Sequence, residues 1–150
     1  RMHVWTRLKA ESYGKTGVSI YADGMVEHDG HVGILLKKLD DLGITDNTIV
    51  IYGTDNGAET VSWPDGGITT FHGEKGTTWE GGFRVPMLVR WPGQIAPGTI
   101  TNELMSHNDW IPTLAAIAGR PTLAQDLKAG TTLHGAAYKV HLDGYDQLFL

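Results

Sequence analysis

Apolar residues recur at helical spacing through "MVEHDGHVGILLKKLDDLG". Met25, Val32, Leu35, Leu36, Leu39 and Leu42 fall on one face, with Lys37, Lys38, Asp40 and Asp41 opposite. The pattern predicts a helix over residues 24–42, with Asp23 as N-cap and Gly43 just past its end. Gly30 and Gly33 weaken it locally. The period then changes. "TIVIYGT", residues 48–54, is β-branched and apolar without alternation, which predicts a strand covered on both faces, as in a parallel sheet. "VPMLVRW", residues 85–91, predicts a second buried strand with Pro86 at its start. "PGQIAPG" reads as a loop. "NDWIPTLAAIAG" has Asn108 or Asp109 as N-cap, Pro112 in the first turn and Gly119 after the end, so it predicts another helix. Beyond Arg120 the pattern weakens, and "YKVHLDGYDQLFL" reads as one strand and a turn.

Helix, buried strand, long loop, buried strand and helix make part of an α/β layered fold, in which ligands gather at the C-terminal ends of parallel strands. The loop leaving the first strand opens with Asp55, Asn56 and Gly57 and runs about thirty residues to Arg84. Loops of that length inside compact domains are usually functional or disordered. This one contains "HGEKGTTWEGGFRVP", with four glycines around one lysine. Glycine loses more backbone freedom on folding than any other residue, so an ordered run of this kind needs a reason.

Composition narrows the partners. A chain of 150 residues fits one domain, and 41% hydrophobic with 19% charged residues is ordinary for a globular chain. A net charge of −5 argues against a nucleic-acid surface. There is no cysteine, hence no disulfide, thiolate nucleophile or cysteine zinc site. No run of 18 apolar residues is present, so no membrane-spanning helix is expected. "RMHVWTRLKA" has neither the apolar core of a signal peptide nor a first methionine, and the chain reads as cut from something longer.

Residue by residue, the chemistry stays open. Asp55 and Asn56 offer adjacent oxygens to a hard divalent cation, although Asn-Gly is also a common turn former. Lys75, between Gly73 and Gly76, could reach an anion, although a surface lysine is more often solvated. Glu80 and Arg84 suit an ion pair bracing the loop. His28 and His31 fall in the predicted helix as surface or packing residues, and no paired-histidine spacing supports zinc.

In combination the segments say more. "DNTIVIYGTDNGAE", "HGEKGTTWEGGFRVPMLVRWPGQIAPG" and "SHNDWIPTLAAIAG" together resemble the later half of the sulfatase core, in the alkaline-phosphatase-like superfamily. The matching motifs are D-N-G after a strand, G-x-K-x-x-x-x-E-G-G-x-R-x-P, W-P-G, and a D-x-x-P-T-L-x-x-x-x-G helix. The resemblance implies an α/β fold, a partial alkaline-phosphatase-like core of mostly parallel strands flanked by helices. Residues 1–119 would belong to the catalytic core, and residues 120–150 would begin a smaller C-terminal subdomain. Asp55 and Asn56 resemble a pair of calcium ligands (magnesium being the alternative ion), and Lys75 and His3 resemble the residues that contact the substrate sulfate and assist the leaving oxygen.

The departures are equally specific. The family's formylglycine nucleophile arises from a C/S-x-P-x-R motif, which this sequence lacks, as it lacks the family's first aspartate pair. The resemblance therefore implies a sulfatase fragment with an incomplete calcium site, inactive alone, with formylglycine expected in a missing N-terminal part. A phosphate mono- or diester hydrolase of the same superfamily, and a non-catalytic module that kept the fold, are the alternatives. The implied partner is a sulfate-ester substrate, with no nucleic acid and no membrane. The resemblance implies a periplasmic or secreted location. Half a sheet would expose an edge and an apolar face, so self-association is expected of the fragment.

Overall fold

The computed structural model describes residues 7–148. The chain forms two compact units, Arg1–Thr99 and Ile100–Leu150. In the first, a 3₁₀ turn (Ala10–Ser12) leads to helix α1 (Ile20–Asp41), strand β1 (Val50–Gly53), the short helix α2 (Glu80–Phe83) and strand β2 (Met87–Arg90). The second holds α3 (Trp110–Ile117), α4 (Leu123–Ala129), and strands β3 (Thr131–Leu133) and β4 (Ala136–Tyr138).

Helix α1 starts four residues earlier than the pattern predicts, because Ser19 and not Asp23 is its cap: the Ser19 side chain accepts from the Ala22 N–H. Asp23 instead lies inside the first turn and is buried. Its carboxylate accepts from the backbone N–H of Gly14 at 2.6 Å and of Thr16 at 2.8 Å, and from the Thr16 hydroxyl at 2.7 Å. One turn on, the buried Glu27 accepts from the Lys9 N–H at 3.0 Å. The inner face of the helix therefore begins polar, tying down the segment before it. That turns the predicted stripe: Met25, Leu35 and Leu42 are exposed. Gly43 ends the helix as expected, at φ +66° with its N–H on the Asp40 carbonyl.

Strands β1 and β2 form where expected but pair antiparallel, in the register Val50↔Arg90 to Gly53↔Met87. The expected parallel, doubly covered arrangement does not occur among the described residues. A continuous apolar run reports a need for cover, not strand direction. Here the cover is missing too, with Ile51, Tyr52, Met87 and Leu88 all exposed. Among the described residues the buried apolar side chains are few: Leu8, Leu127 and Pro112.

In the second unit, α3 follows Asp109, carries Pro112 in its first turn and stops short of Gly119, as the pattern predicts, with Gly119 at φ +82°. Its entry is a capping box: Ser106 accepts from the Asn108 N–H while Asp109 accepts from the Ser106 N–H at 2.8 Å. Asp109, buried, also accepts from the Tyr145 N–H at 2.8 Å and the Gln147 amide at 3.1 Å, fastening the C-terminal strap to the helix. Strands β3 and β4 pair as a hairpin around His134 (φ +50°) and Gly135 (φ +81°), two left-handed residues in succession as a type I′ turn requires.

Candidate active site

The glycine-rich loop folds as a knot against the end of β1. The Gly57 N–H donates to the Gly82 carbonyl at 2.9 Å, the Lys75 N–H to the Ala58 carbonyl at 2.8 Å, and the Gly81 N–H to the His72 carbonyl at 2.8 Å. Three passes of backbone meet here without side chains between them. A Cβ on Gly57 would run into the Gly81 carbonyl, one on Gly81 into the Gly73 carbonyl, and one on Gly82 would lie 2.5 Å from the Thr77 carbonyl oxygen. Close backbone approach thus accounts for Gly57, Gly81 and Gly82, while Gly73 and Gly76 take left-handed backbone at φ +90° and +84°.

Two side-chain ties hold the knot. Glu74 accepts from the Thr60 N–H at 2.7 Å and, at short range, from the Thr60 hydroxyl. Those hydrogen bonds, the hydroxyl's first, hold the Glu74 carboxyl below its usual range. Arg84 pairs with Glu80 at 3.2 Å and lies 4.2 Å over the Phe71 ring, the brace that the sequence suggests.

Asp55, Asn56 and Lys75 all line one cavity of about 600 Å³ beside the knot. Lys75 donates to Glu59 at 2.9 Å, the two side chains being 27% and 25% exposed. Glu59 lines the same cavity. Asn56 donates its amide N–H to the Gly57 carbonyl at 2.8 Å, which directs the amide oxygen toward other partners. Asp55, exposed, accepts from the Thr54 hydroxyl at 3.4 Å. His3 lies outside the described residues.

As cation ligands, Asp55 and Asn56 have the right chemistry and the wrong number. Carboxylate and amide oxygens suit calcium or magnesium, but calcium takes roughly six to eight oxygens. No group of three or more His, Asp or Glu side chains that could hold a metal occurs among the described residues. The described residues therefore do not by themselves close a cation site.

Sequence reasoning passed over three residues that shape this cavity. Glu59 lies sixteen positions from Lys75, a separation that carries no periodic signal. Tyr21 and Trp63, on α1 and on the loop, come together as a tilted ring pair only through tertiary structure.

Comparison with known proteins gives one consistent result. The family model described as Sulfatase matches residues 7–120. Human arylsulfatase A is 46% identical over 108 residues, covering 71% of this chain and 21% of that protein. Rat steryl-sulfatase is 43% identical over 128 residues, covering 79% of this chain and 22% of that protein. The crystal structure of the PsFucS1 sulfatase from Pseudoalteromonas sp. superposes with a TM-score of 0.82 at 31% identity, covering 99% of this chain and 27% of that one. The chain thus spans about a fifth of the length of these relatives. With the motifs and the family model in agreement, the chain belongs to the sulfatase family.

Proposed function

We propose that this chain is one portion of a sulfatase that hydrolyses sulfate esters, and that the cavity beside Lys75 is its share of the active site. The observation that carries the reading is that Lys75, from the glycine-rich segment, lines one cavity with the adjacent Asp55 and Asn56 at the end of β1. Asp55 and Asn56 hold one side of a calcium ion (or magnesium), whose charge would offset that of the sulfate group when bound. Lys75, aimed by Glu59, gives the sulfate oxygens a charged donor, and His3 contacts the same group. A fixed cationic donor favours the charge that builds up in sulfuryl transfer.

The formylglycine nucleophile and the remaining calcium ligands come from residues outside this chain. In the same reading, residues 1–119 belong to the catalytic core and residues 120–150 enter the smaller subdomain. β1 and β2 then join further strands of a larger, mostly parallel sheet, which would cover the exposed Ile51, Tyr52 and Leu88. Until they are covered, these faces favour self-association of the isolated chain, and sedimentation at rising concentration should show it; a strict monomer would count against that part.

The reading is tested in the gene. A C/S-x-P-x-R motif upstream of Arg1, and turnover of an aryl sulfate in preference to the matching aryl phosphate by the full-length product, are expected. No such motif, or a preference for the phosphate ester, would overturn it.

A further inference from the structure

Lys75 already holds an anion supplied by the chain itself. Its ammonium donates to Glu59 Oε2 at 2.9 Å, and both side chains line the cavity shared with Asp55 and Asn56. The pair is firmly built. The Lys75 N–H donates to the Ala58 carbonyl at 2.8 Å, so the two stretches of backbone are paired beside the two side chains. The Glu59 carbonyl accepts from the Trp63 N–H at 3.1 Å, and its second carboxylate oxygen accepts from the Ser62 hydroxyl at 3.1 Å. Glu74, next to Lys75 in sequence, turns instead to the N–H and hydroxyl of Thr60. Glu59 is thus the carboxylate held against Lys75, and both side chains are partly screened from water.

A carboxylate in this place acts on any anion that Lys75 receives. An ammonium has three donors, so Lys75 can keep Glu59 and bind a second acceptor. Two acceptors on one tetrahedral ammonium stand roughly 5 Å apart. Like charges at that separation, with screening only partial, weaken binding by roughly tenfold or more. The repulsion grows with the charge of the ligand. A sulfate ester carries one negative charge, and free sulfate carries two. A cationic site by itself favours the dianion and would hold its product. The Glu59 carboxylate opposes this, because it weakens the hold on free sulfate about twice as much, in free energy, as the hold on the ester.

We propose, resting on the sulfatase reading above, that Glu59 sets the charge selectivity of the site: it shares the Lys75 ammonium with the bound anion and favours the singly charged ester over doubly charged free sulfate, so that product leaves.

The test is competitive inhibition of aryl sulfate turnover by the full-length protein, wild type and Glu59→Gln. The inhibitors are inorganic sulfate, a dianion, and methanesulfonate, a monoanion that is not hydrolysed. Glutamine keeps the shape of the side chain and removes its charge. Glu59→Gln should bind sulfate roughly tenfold more tightly and methanesulfonate roughly threefold, so that the ratio of the two inhibition constants moves roughly threefold toward sulfate. Glu59→Ala gives the same reading if the glutamine variant does not fold, because the ratio reports charge and not shape. An unchanged ratio, whether both anions bind better, worse or equally well, would assign Glu59 to holding the loop and overturn the proposal. A shift toward methanesulfonate would overturn it too. Wild-type turnover of the aryl sulfate together with either of those results removes the proposal alone. No turnover of any sulfate ester by the wild type removes the sulfatase reading and the proposal with it.

Discussion

Gly57→Ala should break the knot on which the site is built. The added methyl meets the Gly81 carbonyl, and the Gly57 N–H is at the same time bonded to the Gly82 carbonyl at 2.9 Å. The obstacle is backbone on both counts, so no side chain can swing away. Forcing the two strands of chain apart forfeits that hydrogen bond, about 1 kcal/mol, and adds an overpacking cost of about 1–3 kcal/mol. The sum is about 2–4 kcal/mol. Gly33→Ala is the matched control: it lies within α1 with nothing within 4 Å of its added Cβ. There the same chemical change should stabilise by about 0.5–1 kcal/mol through helix propensity. The assay is urea denaturation of the full-length protein followed by tryptophan fluorescence. Gly57→Ala should lower the midpoint and Gly33→Ala should raise it slightly. Equal midpoints for the two variants would mean that the glycines of this loop are not there for close packing.

Other consequences follow from the same geometry. The isolated 150-residue chain should hydrolyse no sulfate ester, and aryl sulfate turnover by it that Lys75→Ala abolishes would refute this. Calorimetry on that chain should find weak or no calcium binding, because on the proposed reading Asp55 and Asn56 would supply only two of the oxygens needed; tight stoichiometric binding would show that more ligands are present. Acid should destabilise the fold through three carboxylates. Asp23 is held below its usual range chiefly by the Thr16 N–H and hydroxyl, and Glu74 by Thr60. Burial pushes Asp109 up, but the N–H groups of Ser106 and Tyr145 and the Gln147 amide outweigh it and leave it lowered. Lowered carboxyls contribute stability that is full above their unfolded values, near 3.8 for Asp and 4.5 for Glu, and lost as pH falls through the folded ones. The urea midpoint should therefore fall below about pH 5, and Asp109→Asn should be less stable at neutral pH with a shallower acid loss. An unchanged acid slope in Asp109→Asn would refute the assignment.

What the sequence disclosed was what local chemistry dictates. Gly43 and Gly119 mark helix ends because a left-handed residue is needed there, and the run at residues 48–54 makes a strand because β-branched side chains favour one. The loop motif was legible as a unit, and Asp55, Asn56 and Lys75 do share a cavity. What was hidden depends on distant backbone. Asp23 resembles a cap in sequence, yet it is claimed by Gly14 and Thr16, whose N–H groups have no other sequence signature. Strand direction was hidden because an apolar run records burial alone. Glu59, Tyr21 and Trp63 were hidden because long-range folding brings them together, not periodicity.

The central claim is that Lys75 faces the sulfate while Arg84 only braces the loop. The most direct measurement is kcat/KM on an aryl sulfate for Lys75→Ala and Arg84→Ala in the full-length protein, with metal content and folded yield recorded for each. Lys75→Ala should keep its metal and lose roughly a hundred- to thousand-fold in rate, about 3–4 kcal/mol of transition-state stabilisation. Arg84→Ala, which gives up its pairing with Glu80 and its place over Phe71, should lose stability and keep most of its specific activity. Near wild-type kcat/KM in Lys75→Ala, together with its loss in a folded and metal-loaded Arg84→Ala, would contradict the account.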